Sequence, residues 1–175
     1  DADMDQVADA LMGSAYGSAG ERCMAVSVAV PVGKETGDRL VDKLRPRVEA
    51  LKVAPYTDPT AEMGPIVSRQ SLERIHKLIE EGVGAGADLV VDGRGLKLQG
   101  YEDGFFIGGS LFDNVTTDMS IYKEEIFGPV LSVVRAKTYE EGLDLAMSHE
   151  YGNGVAIFTR DGDAARDFAA RINIG

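Results

Sequence analysis

The chain has 175 residues, 44% of them hydrophobic, and a formal net charge of −11 at pH 7. That is enough apolar content for one ordinary core, and too little clustered Lys and Arg for a nucleic-acid or anionic-membrane partner. A single cysteine excludes an internal disulfide framework and a CxxC metal site, and no apolar run approaches the length of a transmembrane helix.

Met4, Val7, Leu11 and Ala15 recur at helical spacing behind Asp3, which predicts an N-capped amphipathic helix ending near the Gly-rich run from Ala15 to Gly20. Cys23 follows that exit. The β-branched run 26–32 predicts a buried strand that Pro31 closes or places at an edge. Leu40, Val41, Leu44, Val48 and Leu51 mark a second helix, which Pro46 is expected to kink or split. After an irregular stretch over 53–66, Ser68 caps a helix carrying Leu72, Ile75, Ile79 and Val83, stopped by Gly82, Gly84 and Gly86.

Strands are predicted at 89–91, 105–107 and 129–134, and Thr138 with Glu141 forms a capping box for a helix through Leu143, Ala146 and Met147. A strand at 155–159 and a last helix, capped by Asp161 with Ala165, Phe168, Ala169 and Ile172 on one face, complete the chain. Alternating helices and apolar strands argue for an α/β domain, a mainly parallel sheet flanked by helices.

Chemistry is sparse outside a few positions. On context alone Cys23 reads as a small buried hydrophobe, and Arg22 beside it has little influence because neighbouring side chains point apart. A thiol nucleophile needs a base, which restricts a cysteine-hydrolase reading to His76, on an amphipathic helix, or His149, near a helix C-terminus; both read as structural. No P-loop and no GxGxxG with a following acidic residue is present, and by spacing Glu124 and Glu125 are an ordinary solvated pair. No metal site is expected.

Two motifs change that reading. Gly20-Glu21-Arg22-Cys23, followed by Lys123-Glu124-Glu125-Ile126-Phe127-Gly128-Pro129-Val130, resembles the cysteine and EEIFGP motifs of the aldehyde dehydrogenase superfamily. Met63-Gly64-Pro65 and the Tyr151 to Thr159 segment are similar to two further stretches of the same family, so the likeness runs the length of the chain. Tyr122 to Glu125 and the Asn153-Gly154 pair resemble its methylmalonate-semialdehyde branch, whereas Glu21 stands where the family usually carries glutamine.

The resemblance implies that Cys23 is the catalytic nucleophile, adding to an aldehyde to give a thiohemiacetal whose oxyanion the Cys23 backbone N–H helps to hold. It implies NAD as cofactor, with Glu125 on the nicotinamide-ribose hydroxyls and Phe127 packed near the nicotinamide. In the branch named above, coenzyme A rather than water accepts the acyl group, with loss of carbon dioxide; Arg22 is a candidate for the substrate carboxylate. The expected organisation is a catalytic domain over 1–175, truncated at both ends, with the NAD-binding domain elsewhere in a longer homo-oligomeric enzyme of the cytoplasm or the mitochondrial matrix. The acidic start of the chain is unlike a signal or transit peptide.

Overall fold

The computed structural model describes residues 1–174. Six α-helices, α1 (Met4–Leu11), α2 (Lys34–Glu49), α3 (Arg69–Gly84), α4 (Ser120–Lys123), α5 (Tyr139–Ser148) and α6 (Gly162–Arg171), accompany four strands, β1 (Val28–Ala29), β2 (Asp88–Val91), β3 (Ser110–Asp113) and β4 (Val130–Val133). The sheet order is β1-β4-β3-β2. β4 lies parallel to both neighbours, pairing Ser132 with Val28 and Leu131 with Leu111, and only the edge strand β2 runs antiparallel. The expected mainly parallel α/β sheet is therefore present, with every residue of β3 and β4 buried, as helix-covered strands must be.

Local chemistry explains the elements around it. Asp3 accepts from the N–H groups of Asp5 and Gln6 at the start of α1, and Ser68 accepts from Ser71 at the start of α3. At the other end of α3, Ala87 N–H bonds to Gly82 C=O and Gly86 N–H to Val83 C=O, with Gly86 at φ +95°, a paired closure that only a glycine adopts without strain. Leu40, Val41, Leu44 and Val48 bury one stripe of α2, and each such side chain contributes about 1.5–3 kcal/mol. Gly82 of α3 meets Ile121 so closely that a Cβ there would overlap its side chain and press on the ring of Phe112.

Three sequence expectations change. Pro46 does not split α2: Asp42 and Pro46 are both exposed, so the carbonyl left without a donor faces water while Leu44 and Val48 on the opposite side stay packed. The strand predicted at 105–107 lies five to six residues later, at β3, whose Ser110 and Asp113 disguised it; Ser110 Oγ accepts from Gly93 N–H and Asp113 binds Arg135 in a two-pronged pair that also reaches Asp38 on α2. Residues 155–159 form no ladder, and Val155 and Phe158 are exposed, because an apolar β-rich stretch becomes a strand only beside a partner and none of the described strands lies alongside it.

The last helix shows the same dependence. Asp161 caps α6 as expected, yet none of its residues is buried. It is joined to α5 by Tyr139 donating to Asp167 (2.8 Å) and by Arg171 pairing with Glu140 (2.5 Å), exposed contacts that contribute about 0.2–1 kcal/mol each.

At the sheet centre, the Ser132 hydroxyl is fully buried and has no hydrogen-bond partner among the described residues. An unpaired hydroxyl loses its water on folding and gets nothing back. Ser132→Ala is expected to leave stability unchanged or raise it by about 1 kcal/mol, measured by chemical denaturation, whereas Leu131→Ala on the same strand costs about 2–5 kcal/mol.

Candidate active site

The turn that carries Cys23 hangs from the end of α1. After Leu11 the helix widens into one π turn, Met12–Tyr16, which frees carbonyls that a regular helix would use internally. Two of them are taken up by the cysteine loop: Gly13 C=O accepts from Arg22 Nη2 (2.8 Å) and Ser14 C=O from Val26 N–H (3.1 Å). Tyr16 closes the other side of the turn, its buried phenol donating to Ser110 C=O at 3.0 Å, and burial raises its pKa above the ordinary tyrosine value.

Between these anchors the backbone turns left-handed at three consecutive residues, Ser18 (φ 52°), Ala19 (φ 56°) and Gly20 (φ 68°). For the two non-glycine residues this costs about 1–2 kcal/mol each. The chain then tightens again, Ala25 N–H bonding to Arg22 C=O at 3.0 Å, which places Cys23 and Met24 at the apex of a four-residue turn with both side chains exposed. The context reading of Cys23 as a buried hydrophobe is thus wrong: the flanking glycines and left-handed residues lift it out of the core. Its backbone N–H makes no hydrogen bond among the described residues, so a donor is free beside the thiol.

The second motif meets the first through two glycines. A Cβ on Gly20 would fall on the carbonyl of Gly128 and against Pro129 N, so the two backbones touch with no room for a side chain. Gly128 is in turn fitted against Ile75, whose Cδ1 would lie 2.5 Å from a Cβ there. Ahead of it, Ile126 is buried and its carbonyl accepts from Arg74 of α3 at 2.8 Å. With that residue fixed inward, its neighbours Glu125 and Phe127 project outward; Phe127 is held at φ 53° and is 40% exposed.

Of the adjacent glutamates, Glu124 pairs with Arg74 (3.7 Å), whereas Glu125 has no polar partner among the described residues. Glu125 is therefore the one with both oxygens available to hydroxyl donors. An exposed carboxylate with both oxygens unpaired, beside an exposed aromatic ring, is suited to accept from hydroxyls and to pack against a flat ring.

The remaining site residues divide clearly. Glu21 accepts from Val67 N–H at 3.0 Å and so ties the cysteine loop to the segment ahead of α3; burial raises its pKa while that N–H lowers it, with the net shift upward. Neither histidine is hydrogen-bonded to Cys23. His149 donates through Nε2 to Tyr122 C=O (2.7 Å) and accepts at Nδ1 from Tyr151 N–H (2.9 Å), leaving no nitrogen for a base. His76 stays on α3. A cleft of about 670 Å³ between α4 and α5, lined by Lys123, Glu141, Asp144 and His149 among others, does not include Cys23. Among the described residues no group of His, Cys, Asp and Glu is arranged to hold a metal, and no helix is long and apolar enough to cross a membrane.

Sequence reading missed Asn153 as part of this site. It served only as a marker of resemblance, yet its Nδ2 donates to Cys23 C=O at 2.8 Å. The glycine pairing of the two motifs was equally hidden. Its one sequence signal is a glycine at each end of the contact.

Comparison with known proteins gives the geometry its context. The family model described as "Aldehyde dehydrogenase family" matches residues 1–175. The chain is similar to malonate-semialdehyde dehydrogenase of Pseudomonas aeruginosa, 56% identical over 100% of this chain and 35% of that protein. It is also similar to the acylating, mitochondrial methylmalonate-semialdehyde dehydrogenase of Arabidopsis thaliana, 46% identical over 100% of this chain and 28% of that one. The chain thus spans about a third of the length of these curated relatives. Among solved structures, a putative methylmalonate-semialdehyde dehydrogenase of Sinorhizobium meliloti complexed with NAD superposes with a TM-score of 0.99 at 70% identity, covering 100% of this chain and 36% of the other. The betaine aldehyde dehydrogenase of Staphylococcus aureus with NAD+ gives 0.95 at 30% identity, covering 100% and 34%.

Two outcomes test this construction. Gly20→Ala adds a Cβ against the Gly128 carbonyl at a positive φ, and is expected to cost about 2–4 kcal/mol in denaturation experiments, whereas Gly13→Ala, with open space around it, costs well under that. Because the Glu21 pKa is raised, its ionisation opposes folding above the carboxylate range and has no effect once both states are protonated. Glu21→Gln keeps the acceptor for Val67 and should raise the melting temperature at neutral pH, the gain shrinking to nothing below about pH 4.

Proposed function

Because the chain belongs to the aldehyde dehydrogenase family, we propose that it is the catalytic segment of a longer enzyme that oxidises an aldehyde through a thioester on Cys23. The observation that carries this reading is the exposed thiol on a turn whose own N–H is free, joined by backbone contact to a loop that presents Glu125 and Phe127.

In the proposed sequence the Cys23 thiolate adds to the aldehyde carbon, and the oxyanion formed is held by the Cys23 N–H. Collapse of this thiohemiacetal oxidises it to the thioester. Bound NAD supplies the two-electron acceptor for that collapse. Glu125 offers two acceptors to the ribose hydroxyls and Phe127 limits where the nicotinamide ring can lie. A second nucleophile then releases the acyl group from sulfur.

The relatives named above act on malonate or methylmalonate semialdehyde, and the Arabidopsis protein is described as acylating. On that support the substrate is a semialdehyde acid, the acyl acceptor is coenzyme A, and the products are propionyl-CoA or acetyl-CoA with carbon dioxide. Arg22, exposed and adjacent to the nucleophile, has donors left over from its bond to Gly13 for a substrate carboxylate. Parts of the relatives outside this span supply the rest of the dinucleotide site and the subunit contacts of a homo-oligomer. The enzyme works in the cytoplasm of a bacterium, or in the mitochondrial matrix if its source is eukaryotic. The committed nitrogens of His149 disfavour the alternative of a cysteine hydrolase.

Mass spectrometry of the full-length enzyme with methylmalonate semialdehyde and NAD, with and without coenzyme A, tests the reading. Acyl-CoA is expected only with coenzyme A, and Cys23→Ala is expected to lower turnover by at least about 10⁴-fold, the scale seen on removing a covalent nucleophile. Free acid made at the same rate without coenzyme A would assign the thioester to water; turnover retained by Cys23→Ala would remove the covalent reading. Residues 1–175 alone are expected to reduce no NAD, followed by absorbance of the reduced nicotinamide.

A further inference from the structure

The stretch from His149 to Gly154 lies across both motifs. At one end His149 Nε2 donates to the carbonyl of Tyr122, three residues before Glu125, while the imidazole packs edge-on against the Tyr122 ring with centroids 4.7 Å apart. Tyr151 N–H donates to the other nitrogen, which fixes the chain direction leaving α5. Two residues on, Asn153 Nδ2 reaches Cys23 C=O, and a Cβ on Gly154 would stand 2.5 Å from Met24 Cε. Ile174 covers the middle of the stretch, its Cδ1 lying 3.0 Å from where a Gly152 Cβ would be. The segment is thus a strap bonded at one end to Tyr122 of α4, the helix that leads into the Glu125 loop, and at the other to the cysteine turn.

We propose that Asn153 is a positioning residue for the Cys23 turn, and that the strap of residues 149–154 sets the orientation of the nucleophile relative to the loop carrying Glu125 and Phe127. This rests on the reading of Cys23 as the nucleophile. The cysteine turn has bonds to the core on its flanks, through Arg22, Glu21 and Val26, but the carbonyl at its apex is held by Asn153 alone among the described residues. Fixing that carbonyl fixes the rotation of the Cys23–Met24 peptide, and with it the Cys23 backbone angles that aim both the thiol and the N–H beside it. An error of 1 Å in such an aim lowers a rate about 10²-fold without removing any reacting group. The choice of asparagine follows from what is being held: a carbonyl needs a donor, and an amide donates where a carboxylate of the same shape repels.

The test compares Asn153→Asp, Asn153→Ala and Cys23→Ala in the full-length enzyme. Asn153→Asp keeps the shape and reverses the interaction, so a packing role would leave it near wild type, whereas a positioning role makes it the worse of the two substitutions. The expected result is a 10- to 100-fold slower single-turnover formation of reduced nicotinamide in Asn153→Asp, a smaller loss in Asn153→Ala, a changed rate of Cys23 alkylation by iodoacetamide, and an NAD dissociation constant and melting temperature within error of wild type. Single-turnover and alkylation rates unchanged in both Asn153 variants would overturn the proposal, as would a rate loss matched by a fall in melting temperature. Full activity in Cys23→Ala would instead overturn the covalent reading on which it rests, so the two failures are told apart by which variant departs from expectation.

Discussion

Two motifs more than a hundred residues apart touch because Gly20 and Gly128 have no side chains. The backbone of one lies directly on the carbonyl of the other, and that contact joins the cysteine turn to the loop carrying Glu125 and Phe127. On one side of it the chain turns left-handed through Ser18 and Ala19 to put Cys23 at an exposed apex; on the other it turns at Phe127, again at positive φ, to present Glu125 and an aromatic ring. Three non-glycine residues in that conformation, each strained by about 1–2 kcal/mol, persist only because the surroundings over-determine them.

The supports are unequal in kind. Beneath the cysteine turn they are backbone carbonyls released by the π turn at the end of α1, taken up by Arg22 and Val26. Beneath the second loop they are one buried side chain, Ile126, and one cation, Arg74, which binds the Ile126 carbonyl and also engages Glu124. That double use of Arg74 divides two adjacent glutamates into a structural one and a free one, a distinction that neither spacing nor composition contains. The strap from His149 to Asn153 adds the third support, and it explains why both nitrogens of the one histidine near the site are spent on backbone atoms rather than on a proton transfer.

Away from the site the packing thins over residues 155–174, none of which is buried. The segment 155–159 has the composition of a strand without a ladder, and α6 has an amphipathic pattern with no buried residue. Polar contacts hold this region: Thr159 and Arg160 to Asp1 (3.0 and 3.1 Å), Arg160 to Asp3 (3.0 Å), Tyr139 and Arg171 across α5 and α6. Exposed pairs of this sort contribute little individually, so the stability of the chain resides in the sheet and the helices α1 to α3.

The sequence by itself determined the elements whose causes are local: the caps at Asp3, Ser68, Thr138 and Asp161, the buried stripes of α2 and α3, the glycine closure after α3, and the apolar centre of β4. It also carried, through resemblance, the family and the identity of Cys23, Glu125 and Phe127 as candidates. Tertiary structure decided what depends on a partner distant in the chain. Residues 110–113 became a strand despite two polar side chains because Gly93 and Arg135 satisfied them, and residues 155–159 stayed unpaired despite an ideal composition because none of the described strands lay beside them. Cys23 became exposed, Glu124 engaged and Asn153 bonded to Cys23 for the same reason: periodicity records which side of an element is apolar, whereas a hydrogen bond across 130 residues exists only once packing has brought donor and acceptor together.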